Sequence, residues 1–257
     1  MPSFQLPTQE EKHAYVHEQF ERIAARYDLA NDVISMGMHR FWKKLAVDVL
    51  IDGPTRGHES NRQQRLSGKY LDVCCGTGDL AIKIAERLNR EGEVVGLDFS
   101  GNMLDVARQR AEKAAPFFQA SMRFEQGDAL NLPFADDSFD GAIVSFGLRN
   151  LTKFDRGINE LARVVKPGGV VVNLDLGRAE GLLFAPTFKL YFRHVVPIIG
   201  GILQNDRKAY TYLPESKSTY PDPEGITSLF KAAGLEKVQH IKLSSGSVAL
   251  HVGVVSK

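Results

Sequence analysis

Between residues 72 and 128 the chain sets a run of carboxylates around a pair of glycines, a spacing suited to holding a small charged ligand. Gly76-Thr77-Gly78 is a turn that only small residues make, and Asp72 and Asp79 stand on either side of it. Asp98 comes 22 positions after Gly76 (98 − 76), and Asp128-Ala129 follows a further strand-like stretch. Gly76-x-Gly78-x-x-Ala81 also satisfies a dinucleotide fingerprint, which places a pyrophosphate on a helix N-terminus. Two carboxylates beside the turn would repel a pyrophosphate and would suit a ligand carrying an ammonium and a sulfonium. The balance tips from NAD, and from hydride transfer, toward S-adenosylmethionine. In that arrangement Asp98 accepts both ribose hydroxyls, Met103 packs on adenine, and Asp128 and Ala129 meet its edge.

Such residues need rigid elements to place them. Tyr70, Leu71 and Val73 read as a buried strand over 69–74 that delivers the glycine turn. Asp79 stands as N-cap of a helix over about 79–90, with Leu80, Ile82, Ile84, Ala85 and Leu88 as its apolar residues. Strands are expected at 93–98, 122–126, 139–145 and 170–174, with helices at 103–115 and around Phe154–Val165 between them and Pro167-Gly168-Gly169 as a turn. This alternation predicts an α/β fold with a mostly parallel sheet, helices on both faces and right-handed crossovers. A helix ending at Gly234 and two closing antiparallel strands, about 236–243 and 247–255, bring the count to seven.

Two segments stand outside the alternation. Residues 1–52 carry amphipathic stripes (Val16, Phe20, Ile23, Tyr27, then Met38, Phe41, Trp42, Leu45, Val49), with a polar joint of Asp28, Asn31, Asp32, Ser35, His39, Arg40 and Lys43. Helices packed on the core would explain the stripes; the joint points to a lid over the cofactor. Residues 53–68 form a long polar loop. The remaining domain, 69–257, contains an insertion at about 177–222 crowded with Leu182, Leu183, Phe184, Phe188, Phe192, Ile198, Ile199 and Ile202. Lys189, Arg193, Pro186 and Pro197 interrupt that run, so it is no membrane span of about 20 apolar residues. Short helices are expected there, either packed as helix–helix core or forming an apolar cap that touches a membrane surface.

The 257 residues carry 43% hydrophobic and 25% charged side chains and a formal net charge of +1, which argues against a nucleic-acid partner. Cys74 and Cys75 are adjacent and unsuited to stapling distant segments. Without a cationic-then-apolar leader in the first residues, a reducing, cytoplasmic location is expected.

Several strings together resemble the ubiquinone/menaquinone biosynthesis C-methyltransferase family, within the class I S-adenosylmethionine-dependent methyltransferases. They are Phe20-Glu-Arg-Ile-Ala with Tyr27-Asp28, Asn31-Asp32, Ser35, Gly37, His39-Arg40 and Trp42-Lys43; Ser145-Phe-Gly-Leu-Arg149-Asn150; Val165-Lys-Pro-Gly-Gly169; Tyr212-Leu-Pro-Glu-Ser216; and Ala249-Leu-His251-Val-Gly253. Cys74 departs from the general methyltransferase motif, where a glycine often stands. The resemblance implies a Rossmann-like sheet of seven strands with the last antiparallel. It implies cofactor contacts at Thr77, Asp98, Asp128, Ala129 and Ser145, backbone approach at Gly76 and Gly78, and Asp72 nearby, with no metal. Arg149 and Asn150 are expected to face a prenylated quinol, Arg149 stabilising the quinolate, with Tyr212 and His251 as further substrate residues and His251 as one candidate proton acceptor. The opening EEKHAYVHEQFERIA and LDVCCGTGD look nearest to the menaquinone branch; the ubiquinone and phylloquinone branches share most motifs. The enzyme would work as a peripheral membrane protein, and a homodimer is one assembly this allows. A methyltransferase for a soluble metabolite and a non-catalytic scaffold are the rival readings.

Overall fold

A computed structural model describes residues 8–24, 27–54, 65–88, 91–114, 120–204 and 219–256. Its centre is a seven-stranded sheet: β1 (Lys69–Val73), β2 (Glu93–Asp98), β3 (Ser121–Gln126), β4 (Phe139–Ser145), β5 (Val165–Leu176), β6 (Leu235–Leu243) and β7 (Val248–Val255), in the spatial order β3-β2-β1-β4-β5-β7-β6. Neighbours among β1 to β5 are parallel; β7 runs against β5 and β6. The chain leaves β1 toward β2 on one side and returns to β4 on the other, so the order reverses at the β1/β4 boundary. That crevice, at the carboxyl ends of the strands, is where open α/β sheets bind ligands.

Central β1, β2 and β4 are buried along almost their whole length, as strands covered on both faces must be. Alternate residues feed two cores: Tyr70, Val172, Leu250 and Val252 on one face, and Leu71, Val73, Val171 and Val144 on the other. Helix α3 (Met38–Asp52) and α4 (Asp79–Ala85) cover the first face; α6 (Phe154–Val164) and α9 (Pro223–Ala232) cover the second. Between α4 and α6 in sequence lies α5 (Gly101–Ala114), packed on β3. Edge strand β3 blunts its free side with charge, Arg123 pairing with Glu93 and Glu125.

The expected turn at Pro167-Gly168-Gly169 is instead a bulge within β5. Phe139 pairs with Val165 and Gly141 with Val170, so residues 166–169 loop out, with Gly168 at φ +84°. Gly169 is required there, since a Cβ would lie 2.7 Å from the Asp140 carbonyl oxygen.

Helices α1 (Gln9–Ile23) and α2 (Tyr27–Ser35) precede α3, and the insertion forms α7 (Phe184–Leu190), a π-helical turn (Tyr191–Val195) and α8 (Val196–Gln204). Thr8 and Glu11 close a capping box on α1. Helices α2 and α8 pack together, and the Tyr191 hydroxyl donates to the Ile34 carbonyl (2.8 Å). In the polar loop, Arg65 donates to the carbonyls of Ile51 and Asp52, closing the end of α3 rather than meeting an anion. The rest of that loop, 55–64, lies outside the described residues.

Candidate active site

The reversal point opens into a cavity of about 180 Å³, room for on the order of ten water molecules at ~10–15 Å³ each. Its floor is the end of β1 and the glycine turn. Gly76 takes φ +54° with nothing within 4 Å of where a Cβ would sit, so the backbone lies open toward the cavity. Its N–H donates to Asp98 Oδ2 (2.8 Å), and Ser100 N–H donates to Asp98 Oδ1 (2.9 Å). Each carboxylate oxygen keeps a second acceptor position for a ligand hydroxyl. Burial nonetheless raises the Asp98 pKa to about 6, against the lowering effect of those N–H groups. Asp128 lines the same wall and closes a tight turn by accepting from Leu130 N (2.8 Å), with Ala129 and Phe99 beside it.

Asp72 is 1% exposed and its Oδ2 has no hydrogen-bond partner. Desolvation, opposed by the Lys43 charge, lifts its pKa to about 8. A buried carboxyl with one oxygen unpartnered at a cavity is costly, and it suits a cationic ligand group that would restore the charge and the missing hydrogen bond. Asp79 does not share that capacity. Gly78, at φ +75°, holds the N-cap position expected of Asp79, and the Asp79 side chain pairs with Lys43 (2.9 Å), Lys83 (3.3 Å) and Arg110 (3.5 Å). Burial would raise the Asp79 pKa, but these three cations hold it below the usual carboxylate range.

Across the crevice, the end of β4 supplies Ser145, Phe146, Arg149 and Asn150, all lining the cavity. Ser145 Oγ is buried with no partner. Arg149 is 4% exposed; its Nη1 donates to Asp175 Oδ1 (2.8 Å) and to the Phe146 carbonyl, and its backbone N–H donates to Asp175 Oδ2 (3.1 Å). The guanidinium is thus fixed by the end of β5 at the cavity wall. Cys74 (φ +57°) and Phe146 (φ +56°) both hold left-handed conformations there, a strain that clusters at functional sites. Burial first, and then Asp98 and Asp72, push both cysteine thiols far up, so neither is a nucleophile.

The roof comes from outside the sheet. Val16 and Phe20 of α1, Tyr27, Asn31 and Ser35 of α2, and His39, Trp42 and Lys43 of α3 line the cavity, with Phe188, Tyr191 and Phe192 of the insertion. Hydrogen bonds tie the roof to the floor. Thr77 Oγ1 donates to Asp28 Oδ1 (2.9 Å), Ser100 Oγ donates to Glu21 Oε1 (2.7 Å), and Lys12 Nζ donates to the carbonyls of Arg149 (3.0 Å) and Leu151 (2.7 Å). Burial, and then the Arg149 charge, lower the Lys12 pKa to about 8.

Of the residues expected to act, Asp72, Gly76, Thr77, Asp98, Asp128, Ala129, Ser145, Arg149 and Asn150 line this cavity. Three others do not. Met103 is fully buried beneath α1 and the insertion, among Ile23, Ala30 and Phe192, because α1 crosses the start of α5; Phe99 and Leu130 stand at the wall instead. Gly78 turns away, its missing Cβ facing Ala107 and Phe124. His251 falls on the opposite face of β7 by strand alternation, where it is 1% exposed and its Nε2 donates to the Pro223 carbonyl (2.9 Å). Burial lowers its pKa to about 4, so it is no proton acceptor for a ligand in the cavity. Tyr212 lies outside the described residues. Lys12, Phe99 and Leu130 were not among the expected residues, and the apolar stripe of α1 gave no sign that Lys12 would face inward.

Known proteins agree with this architecture. The demethylmenaquinone methyltransferase of Desulfitobacterium hafniense is 38% identical over 243 residues, 95% of this chain and 90% of that protein. That of Bacillus cereus (strain ATCC 10987 / NRS 248) is 38% identical over 246 residues, 96% and 98% respectively. Among solved structures, a SAM-dependent methyltransferase from Thermotoga maritima superimposes with a TM-score of 0.60 at 19% identity, covering 93% of this chain and 99% of that one. Phosphoethanolamine N-methyltransferase 2 of Haemonchus contortus, solved with S-adenosyl-L-methionine, gives 0.52 at 18% identity, covering 83% and 57%. These two show the shared fold. Residues 8–255 match the model of the ubiE/COQ5 methyltransferase family, and the chain belongs to that family.

Proposed function

We propose that this protein transfers the methyl group of S-adenosylmethionine to a ring carbon of a prenylated naphthoquinol, converting demethylmenaquinol to menaquinol. The observation that carries the proposal is that one cavity holds both the Asp72 carboxyl, with its Oδ2 left without a hydrogen bond, and the buried guanidinium of Arg149. The first fits the cofactor's ammonium and the second fits a quinolate oxygen. Asp98 would take the ribose hydroxyls, Asp128 and Ala129 the adenine edge, and Phe99 and Leu130 its faces, while Gly76 lets the backbone approach.

When bound, the sulfonium supplies an electrophilic methyl group. The chain must do the rest. An oxidised quinone ring is electron-poor, so the acceptor is the quinol, made nucleophilic at carbon by loss of a phenolic proton. Arg149, always protonated and fixed by Asp175, stabilises the oxygen's negative charge without reorganising. The walls of Trp42, Phe146, Phe188 and Tyr191 exclude water and hold the ring flat against the donor. Labelled methyl transfer under reducing conditions to demethylmenaquinol, with the benzoquinol analogue as comparator, tests the reading. Preferential labelling of the naphthoquinol is expected; equal or preferential labelling of the benzoquinol would move the assignment to the ubiquinone branch.

The prenyl tail gives the insertion its purpose. Leu182 (97% exposed), Leu183 (84%) and Ile202 (76%) stand in solvent with Met36 and Phe41 of the roof, and Lys189 and Arg193 are exposed among them. Such a surface, apolar with basic residues, fits a bilayer interface; no helix among the described residues is long and apolar enough to cross a membrane. Leu182→Ser with Leu183→Ser should weaken co-sedimentation with anionic vesicles at least about ten-fold, given ~1.5–3 kcal/mol per buried leucine, and leave cofactor affinity unchanged. Undiminished sedimentation would remove the membrane from the account.

A further inference from the structure

With His251 on the wrong face of the sheet, the phenolic proton needs another acceptor, and one constellation at the roof has not been used. Ser35 and His39 both line the cavity. Ser35 Oγ lies 2.7 Å from His39 Nδ1 and 2.7 Å from the Asn31 carbonyl, so its one proton turns from the carbonyl to the imidazole when it is passed on, and His39 Nε2 lies 3.7 Å from Asp32 Oδ1. Asp32 is in turn held by Arg40, at 2.8 and 2.6 Å. Hydroxyl, imidazole and carboxylate thus stand in order from the cavity outward, across the α2–α3 joint. The His39 side chain is 9% exposed, so its ring is reached from the cavity rather than from bulk solvent.

We propose that His39, reached through the hydroxyl of Ser35, takes the phenolic proton of the quinol. This rests on the quinol-methylation reading above. The phenolic O–H breaks, its proton passing to Ser35 Oγ as the Ser35 proton passes to His39 Nδ1; the resulting imidazolium faces Asp32. The ring carbon beside that oxygen forms its bond to the methyl group with the ring's electron pair, and the electron pair of the S–CH3 bond goes to sulfur. The methylated carbon then loses its own proton to a water molecule as the ring regains aromaticity, and His39 returns its proton to the oxygen. One proton is released in total, and His39 ends neutral.

The ring is poised for this. Burial and Lys43 lower its pKa below the ordinary 6.5, opposed by Asp32 and Asp79. Among the described residues the charged groups facing it are Asp32 of α2, Arg40 and Lys43 of α3, and Asp79 of α4. His39 is therefore neutral, and able to accept, at pH 7.

A structural role would also explain the Ser35–His39 bond, since it spans the tight joint at Met36 and Gly37 (φ +51° and +76°). The two roles separate in the pH profile. For His39→Gln, turnover with demethylmenaquinol at saturation should fall about 10²–10⁴-fold, and the acid limb of the wild-type kcat profile, below pH 6.5, should vanish. Cofactor affinity should stay within about three-fold. A second readout needs no turnover: 4-methoxy-1-naphthol, which carries one phenolic proton, should bind the wild type about five-fold more weakly below the His39 pKa than above it. In His39→Gln that pH dependence should be absent. Turnover within about three-fold of wild type, or an acid limb that survives in the variant, would overturn the proposal. If His39→Gln fails to bind cofactor, Ser35→Ala decides on the same two readouts, with a fall of at least about ten-fold in turnover expected and unchanged turnover overturning the relay. A wild type that methylates no quinol would fail the reading above, and the naphthol titration would still judge His39.

Discussion

Replacing Asp72 by Asn should weaken S-adenosylmethionine binding by roughly thirty-fold or more, about 2 kcal/mol upward, the cost of truncating one partner of a buried charge pair. In the free protein Asp72 holds a pKa of about 8 and carries its proton at pH 7. An ammonium beside it favours the carboxylate, so cofactor binding at pH 7 should release close to one proton. Calorimetry in buffers of different ionisation enthalpy measures this directly, and the release should disappear in the variant. Wild-type affinity should accordingly rise from pH 6 to about pH 8 and then level. Stability moves the other way. The folded pKa lies above the ordinary 3.8, so the group costs nothing below pH 3.8 and costs progressively more as pH rises toward 8. The Asn variant should melt above the wild type at pH 8, the difference closing toward pH 4. Unchanged affinity with no loss of proton release would show that the ammonium is held elsewhere.

That carboxylate was legible because charge near a glycine turn is a local signal. The β1–turn–α4 unit, the strand-end acids and the alternation of strands and helices all follow from patterns within about 30 residues and recur in the structure, although α4 ends at Ala85 rather than near 90 and β5 runs over Val165–Leu176 rather than 170–174. Of the two acids flanking the turn, Asp79 is already neutralised within the chain. Asp79 lies on α4, one position past the cap; Lys83 is its i+4 neighbour on that helix, but Lys43 of α3 and Arg110 of α5 lie too far away in sequence for any local pattern to announce them. Met103 failed for a similar reason. Its place one turn into α5 suits an adenine contact until α1 is laid over it, and the path of α1 is set by bonds such as Lys12 to the Arg149 and Leu151 carbonyls.

His251 shows a different limit. Strand alternation puts it opposite Leu250 and Val252, but which face of β7 looks toward the ligand depends on where α9 docks, and Phe230 of α9 packs beside the His251 ring (5.9 Å between centroids). The polar joint at 28–43 carried the opposite surprise: more side chains than a turn needs, and several of them face the cavity. An excess of polar groups on an amphipathic segment was the useful signal there, since burying them demands a partner.

Arg149→Met should lower turnover about 10²–10³-fold, the usual loss when one preorganised donor at a developing negative charge is removed, with cofactor affinity nearly unchanged. The obstacle is that Arg149 also neutralises Asp175, 1% exposed. Removing one partner of a buried ion pair costs about 3–5 kcal/mol, so the single variant mixes lost chemistry with lost stability. Asp175 keeps two backbone donors without the guanidinium, the N–H groups of Arg149 and Leu176. Adding Asp175→Asn therefore removes the stranded charge at the loss of one of these two bonds, since an amide keeps one acceptor oxygen. In the double variant the melting temperature should recover most of the loss and turnover should not. Recovery of both would make Arg149 a strut for the β4–β5 crevice and nothing more. The pair that fixes the guanidinium also reduces its net field at the ring, so Asp175→Asn alone separates orientation from charge: turnover should fall there as well, by less than in Arg149→Met, because a loosened cation must reorganise as the quinolate forms.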